Sequence, residues 1–288
     1  MPLQKIQFAP GVDKEGTEYT ADSGWFDSDK IRFRKGRPEK IGGWTKFNNT
    51  AFLGVCRSIF AWASLEAIKY VGLGTNLKFY VMEGISPNDI TPLRETTSAG
   101  DVTFSATNGS STVTVTDTGH GAVQNDFVTF SGAATLGGNI TATVLNQEYQ
   151  IVSVPDANSF TITAKDTSGN TVTANGSDTG NGGGSTVGAY QINSGLNDYV
   201  SAAGWGASPW SSGTWGGASA LSVSGQLRLF SQDNFGEDLV FNVRNGGIFY
   251  WDESGGVTAR GVNITDLGGA SNCPTVSAQI LVSDNDQH

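Results

Sequence analysis

The chain has 288 residues, 39 of them Gly, and a formal net charge of −10. That length allows one or two domains with a sizeable core, and the acidic balance excludes a protein that adheres broadly to nucleic acid. No run of eighteen apolar residues reads as a membrane-spanning helix, and MPLQKIQFAPG does not read as a signal peptide.

The first informative element is Lys30–Lys40, KIRFRKGRPEK. It holds six of the seventeen Lys and Arg (Lys30, Arg32, Arg34, Lys35, Arg37, Lys40) and one acid, Glu39. Without this +5 stretch the remainder of the chain would stand at −15. Ile31 and Phe33 alternate with Arg32 and Arg34, which predicts a strand with one apolar and one cationic face, ended by Pro38. Such a face suits phosphates or the acids of a partner; a solvated face, or ion pairs with Asp27 and Asp29, is the simpler reading.

Next, RSIFAWASLEAIKYVGLG (57–74) predicts two apolar strands around a short turn, followed by the aromatic strand of TNLKFYVMEG. The same plan returns in LRLFSQDNFGEDLVFNV (227–243) and RNGGIFYWDESGG. Phe79 and Phe249 take equivalent places 170 positions apart. With the 88 residues of 101–188 set aside, that spacing is two steps of about 41 residues, a period typical of propeller blades. Cys56 and Cys273 fall three such steps apart, and both are expected to be free, buried thiols rather than a disulfide. A stacked β-sandwich is the alternative to the propeller.

Residues 101–188 differ from their flanks: all seven Trp, both Cys and both Met lie outside them. Short alternating runs (VTFSA, STVTVT, DFVTFS, ITATV, EYQIVSV, SFTITA, TVTA) are separated by turn residues, which predicts a small antiparallel barrel or sandwich. NGSDTGNGGGSTVG is expected to be a flexible exit linker. The expected organisation is all-β: an N-terminal segment and first blade over 1–100, an inserted β-barrel or sandwich over 101–188, and further blades over 189–288. In the last stretch, VSAQILVS matches the first strand of the repeat, so Ala278–Ser283 is expected to be an unpaired strand of an incomplete propeller, and the 288 residues a piece of a longer polypeptide.

The chain carries no recognisable catalytic constellation. Its two His are His120, in the turn TGHG, and His288. Neither has a nucleophile motif or a second His nearby, and no CxxC or His/Cys cluster supports a metal. The acidic turns DNFGED and SDNDQ lack calcium-loop spacing and read as hairpin loops. The Gly-rich segments lack the residues of a phosphate loop. No enzyme activity, cofactor or metal is expected. Trp205, Trp210 and Trp215 lie in GWGASPWSSGTWGG, where they are expected to pack on the host domain or on a neighbouring subunit. Stacking on sugar rings, as in a carbohydrate-binding tail-fibre-type propeller, is their alternative use.

The segment GVDKEGTEYTADSGWFDSDKIRFRKGRPEKIGGW resembles the N-terminal signature of the tail nozzle proteins of short-tailed bacteriophages, also called tail tubular protein B or packaged-DNA stabilisation proteins. FLGVCRSIFAW, YVGLGTNLKFYV, DITPLR and the Trp-rich cluster extend the likeness over most of 3–100 and 189–288. Residues 101–188 resemble, less specifically, a small β-barrel module of phage structural proteins. The resemblance implies a β-propeller protomer in a ring of six in the virion tail, assembled in the bacterial cytoplasm. The ring would lie below the portal and adaptor and close the DNA exit channel until ejection. It implies the portal and adaptor as partners, packaged DNA contacted without sequence specificity, and no membrane. An acidic wall would let DNA slide. Lys30, Arg32, Arg34, Lys35, Arg37 and Lys40 are then expected to face a neighbouring subunit or the adaptor first, and DNA second.

Overall fold

The computed structural model describes residues 9–20, 24–43, 45–46, 49–195, 227 and 229–283. The chain divides into two compact units, residues 1–49 and 50–288. The fold is all-β, and its sheets are antiparallel. No helix among the described residues is long and apolar enough to cross a membrane.

The first unit is built around a hairpin of β1 (Ile31–Arg34) and β2 (Arg37–Lys40). Lys35 and Gly36 form its two-residue loop, both in the left-handed region (φ 50° and 74°). That backbone is the one whose twist matches a right-handed strand pair. Pro38 does not end a strand, as its sequence position suggests; it sits within β2 opposite Phe33. A two-stranded ribbon is all edge, so the missing Pro N–H costs no ladder bond to a third strand.

The second unit opens with a meander, β3 (Cys56–Ala63), β4 (Lys69–Thr75), β5 (Phe79–Glu83) and β6 (Ser86–Asp89), paired in that order. Then come β7 (Leu93–Thr96), β8 (Thr103–Ala106), β9 (Thr112–Thr116), β10 (Phe127–Ser131), a one-turn helix α1 (Ala142–Leu145), β11 (Glu148–Gln150), β12 (Ser153–Asp156), β13 (Ser159–Thr163) and β14 (Val187–Gln191). The chain closes with a second meander, β15 (Phe230–Phe235), β16 (Asp238–Val243), β17 (Ile248–Trp251) and β18 (Val262–Asn263), again paired in order. Each meander has the plan of a propeller blade.

The two meanders share one core. Phe79 of β5 stacks on Phe241 of β16 with ring centroids 4.0 Å apart, and Trp251 meets Trp62 at 6.2 Å and Tyr70 at 5.6 Å. Phe79 and Phe249 both enter this core, as the repeat requires. A Cβ on Gly74 would lie 2.4 Å from the Phe230 ring, so only glycine lets β15 approach β4 here. Gly74→Ala is therefore expected to lose about 1–3 kcal/mol through overpacking, read as a lower urea midpoint at unchanged m-value.

Between the meanders lies a β-sandwich. One sheet runs β11-β10-β14-β7 and the other β12-β13-β9-β8. Their inner faces bury one apolar cluster that includes Phe104, Val115, Phe130, Tyr149, Phe160 and Tyr190. The first sheet draws on β7 and on the end of β14, so it takes in strands beyond the 101–188 stretch. EYQIVSV does not run as one strand. The Ile151 N–H bonds to Asp126 in the first sheet and the Val152 N–H to Thr161 in the second, so the chain changes sheets between them.

Three further expectations are corrected. ITATV is not a strand: the buried Asp178 carboxylate takes the Ile140 N–H, and Thr141 caps α1 by accepting from Val144 N–H. TVTA makes one bridge, Lys165 with Thr171, and no strand. NGSDTGNGGGSTVG is packed rather than a free linker, because Gly180, Asn181 and Gly182 exchange backbone hydrogen bonds with Leu136, Phe104 and Ala134, and Thr186 is buried. Ala278–Ser283, expected to be an unpaired strand, joins no ladder and has no strand assignment. Its backbone is held instead by side chains of β15: Ser231 to Ile280, and Asp233 to the Val282 N–H.

Both cysteines are free, but neither is buried. Cys56 opens β3 at an exposed sheet end, and Cys273 lies in no strand, so it marks no third copy of the repeat.

Candidate functional site

The basic island becomes the β1–β2 hairpin. Its register places Arg32 opposite Glu39 and Arg34 opposite Arg37. Directly opposed residues share a face, and the Arg32–Glu39 ion pair at 3.2 Å follows from that placement. On the other face Phe33 meets Trp25, with ring centroids 6.3 Å apart. The apolar face is thus partly covered, and the face of Arg32, Arg34, Glu39 and Arg37 is exposed. Lys30 pairs with Asp29 at 3.5 Å, whereas Asp27 pairs with Lys14, outside the island. Among the described residues, Arg34, Lys35, Arg37 and Lys40 form no ion pair. Arg34, Lys35 and Arg37 gather around one open cleft with Pro38 and Glu39.

Two like charges placed directly across an antiparallel pair destabilise the ribbon. Arg34 and Arg37 stand so, and Glu39, the one acid nearby, is already engaged by Arg32. What such an arrangement can do chemically is take an anion, bidentate where the anion is a carboxylate or phosphate.

A second charged cluster, not recognised from sequence, lies in the larger unit. Lys78 is 3% exposed, and its Nζ lies 2.6 Å from both Asp89 Oδ2 and Glu148 Oε1. Arg260 Nη2 stands 3.7 Å from Asp89 and 3.8 Å from Glu148. The Gln191 amide donates to Glu148 Oε2 at 2.6 Å, Thr91 Oγ1 donates to Asp89 at 2.5 Å, and Lys78 Nζ lies 4.5 Å from the centre of the Phe127 ring. Burial alone would raise the Asp89 carboxyl; the Lys78 ammonium and the Thr91 donors outweigh it and hold the group below the usual carboxylate range. The members come from the first meander (Lys78, Asp89), the sandwich (Glu148, Phe127, Gln191) and the segment before β18 (Arg260). Two cations are matched by two carboxylates, which fits a clamp between these parts.

His120 directly follows the turn at Thr118–Gly119 and is buried. It is 3% exposed, its Nδ1 accepts the Ala122 N–H at 3.0 Å, and its ring stands edge-on to Phe160 at 5.0 Å. Among the described residues no group of three or more His, Cys, Asp or Glu is placed to hold a metal ion. Trp205, Trp210, Trp215 and His288 lie outside the described residues.

No protein-family model matches this chain, and no curated protein matches it. Among solved structures it is similar to the phage phi92 endosialidase, at 16% identity and a TM-score of 0.24. The match covers 73% of this chain and spans 28% of that one. A likeness of that size carries no argument about fold or activity.

Proposed function

We propose that this chain is a structural subunit of a bacteriophage tail nozzle ring, which lines and closes the DNA exit channel below portal and adaptor. The reading rests on the sequence resemblance over 3–100 and 189–288, and one structural observation carries it furthest. In a chain of net charge −10, the basic part of the signature segment folds into a hairpin that holds Arg34 and Arg37 side by side, exposed and without a counter-ion among the described residues. A subunit that must contact neighbours or the adaptor while letting DNA slide past has use for such a local cationic surface on an acidic body. The two blade-like meanders fit a propeller protomer. In this reading the ring is a homohexamer of the virion tail, assembled in the bacterial cytoplasm, and the chain has no catalytic role, cofactor or membrane association.

The test is negative-stain electron microscopy and native mass spectrometry of the protein, alongside a glycan array. Closed rings without glycan binding are expected. Monomers at every concentration, together with glycan binding that disappears on Trp205→Ala, Trp210→Ala or Trp215→Ala, would transfer the assignment to a carbohydrate-binding tail-fibre propeller.

A further inference from the structure

The hairpin has a counterpart elsewhere on the molecule. The β15–β16 loop and the segment after β17 form a cleft lined by Glu237, Asp238, Asp252 and Glu253, with Phe235, Gly236 and Ser254. Its carboxylates are held in place. Glu237 accepts the Leu65 N–H at 2.6 Å, Asp238 the Glu253 N–H at 2.9 Å, Asp252 the Ser254 N–H at 2.9 Å, and Glu253 the Tyr70 hydroxyl at 2.7 Å. Tyr250 donates to Asp238 as well. Yet none of the four has a Lys or Arg within ion-pair distance among the described residues. Burial, and after it the Glu253 carboxylate that accepts the hydroxyl, push Tyr70 well above its ordinary value.

We propose that the tip of the β1–β2 hairpin of one copy, Arg34, Lys35 and Arg37, docks in the Glu237–Asp238–Asp252–Glu253 cleft of a second copy. Three exposed cations meet four hydrogen-bonded carboxylates, and among the described residues neither set has an ion-pair partner. Each side relieves the like-charge repulsion of the other, and guanidinium and carboxylate pair in a fixed bidentate geometry. The hairpin and the cleft are different patches, so the contact is head-to-tail. Contacts of that kind generate a ring when the rotation closes. The occupant is a second copy because the cationic tip and the acidic cleft of this one chain are complementary in charge; the inference rests on the ring reading and names its contact.

The experiment is sedimentation velocity on the full chain in low and high salt, with three variants: Arg34→Glu/Arg37→Glu, Asp252→Lys/Glu253→Lys, and the two combined. Asp252→Asn/Glu253→Gln keeps the local hydrogen-bonding shape and serves if the lysine variant does not fold. Expected are a salt-sensitive assembly of the wild type, association weakened by about tenfold or more in each charge-reversal variant, and recovery when they are combined. Assemblies that form equally well with Arg34→Glu/Arg37→Glu would overturn this contact and leave the ring reading standing. A wild type monomeric at every concentration would overturn the contact, with the ring reading then judged by virion imaging alone. If the arginine variant instead loses duplex DNA binding with association unchanged, the hairpin is a phosphate site and the proposal fails.

Discussion

Replacing Lys78 by alanine is expected to destabilise the larger unit by about 3 kcal/mol, the low end of the cost of breaking a buried ion pair, because the Asp89 and Glu148 side chains left behind keep 23% and 31% exposure. The ammonium is almost wholly enclosed and touches Asp89 and Glu148 at the same distance, 2.6 Å. Without it the two carboxylates face each other with Arg260, at 3.7 and 3.8 Å, as the one cation left near them among the described residues. Lys78→Met, which keeps most of the side-chain volume, separates lost packing from lost charge and is expected to recover little. Removing Lys78 and both carboxylates together, with Lys78→Met, Asp89→Leu and Glu148→Gln, is expected to be milder than Lys78→Met alone, because only the partly exposed Arg260 then stays charged and no pair of carboxylates is left facing each other. Urea unfolding of the variants measures each step.

The same cluster gives a pH dependence whose sign is fixed. Asp89 has its folded pKa lowered, so the unfolded chain binds the proton more readily. Its contribution is therefore fully present above the unfolded carboxylate value, about 3.9, and is lost as pH falls through the lower folded value. Lys78→Met is expected to flatten this acid limb in unfolding curves taken between neutral pH and that range.

Phe241→Ala is expected to cost about 3–5 kcal/mol, by transfer and cavity terms together. Phe241 is fully buried, lies parallel to Phe79 at 4.0 Å and contacts Phe249 at 5.6 Å, so it links both meanders through one side chain. The loss should appear as a lower thermal midpoint. Phe241→Leu, which fills more of the space, should recover part of it. If the two meanders were independent, Phe241→Ala would leave hydrogen exchange in β4 and β5 unchanged; the shared core predicts faster exchange in both.

Much of the strand pattern was readable in sequence because it is local. RSIFAWA and YVGLG alternate around a short loop, FSQDNF and DLVFNV do so around Gly236–Glu237, and the aromatic runs after them form β5 and β17. The hairpin of the basic island was half readable. Alternation gave β1, while Pro38 concealed β2, since the rule that proline ends a strand does not apply where the strand has a free edge. The errors arise where distant residues decide. ITATV has the composition of a strand, but Asp178, 38 positions from Ile140, takes the N–H on which a ladder would depend. NGSDTGNGGGSTVG has the composition of a linker, but its backbone meets Leu136, Phe104 and Ala134. Lys78 looks like any lysine in a turn between strands, and its burial is set by Glu148 and Arg260, which only the fold brings to it. For the candidate site, the density of charge was visible in the sequence. The opposition of Arg34 and Arg37 required the register.

The central claim is that this chain is a ring-forming subunit of the tail nozzle, and cryo-electron microscopy of the phage particles that carry it tests this most directly. The account predicts a ring of six copies beneath the portal and adaptor, surrounding the DNA channel, with the two meanders recognisable in each copy. Particles in which the chain is absent from the tail axis, or in which it occupies a peripheral fibre, would contradict it.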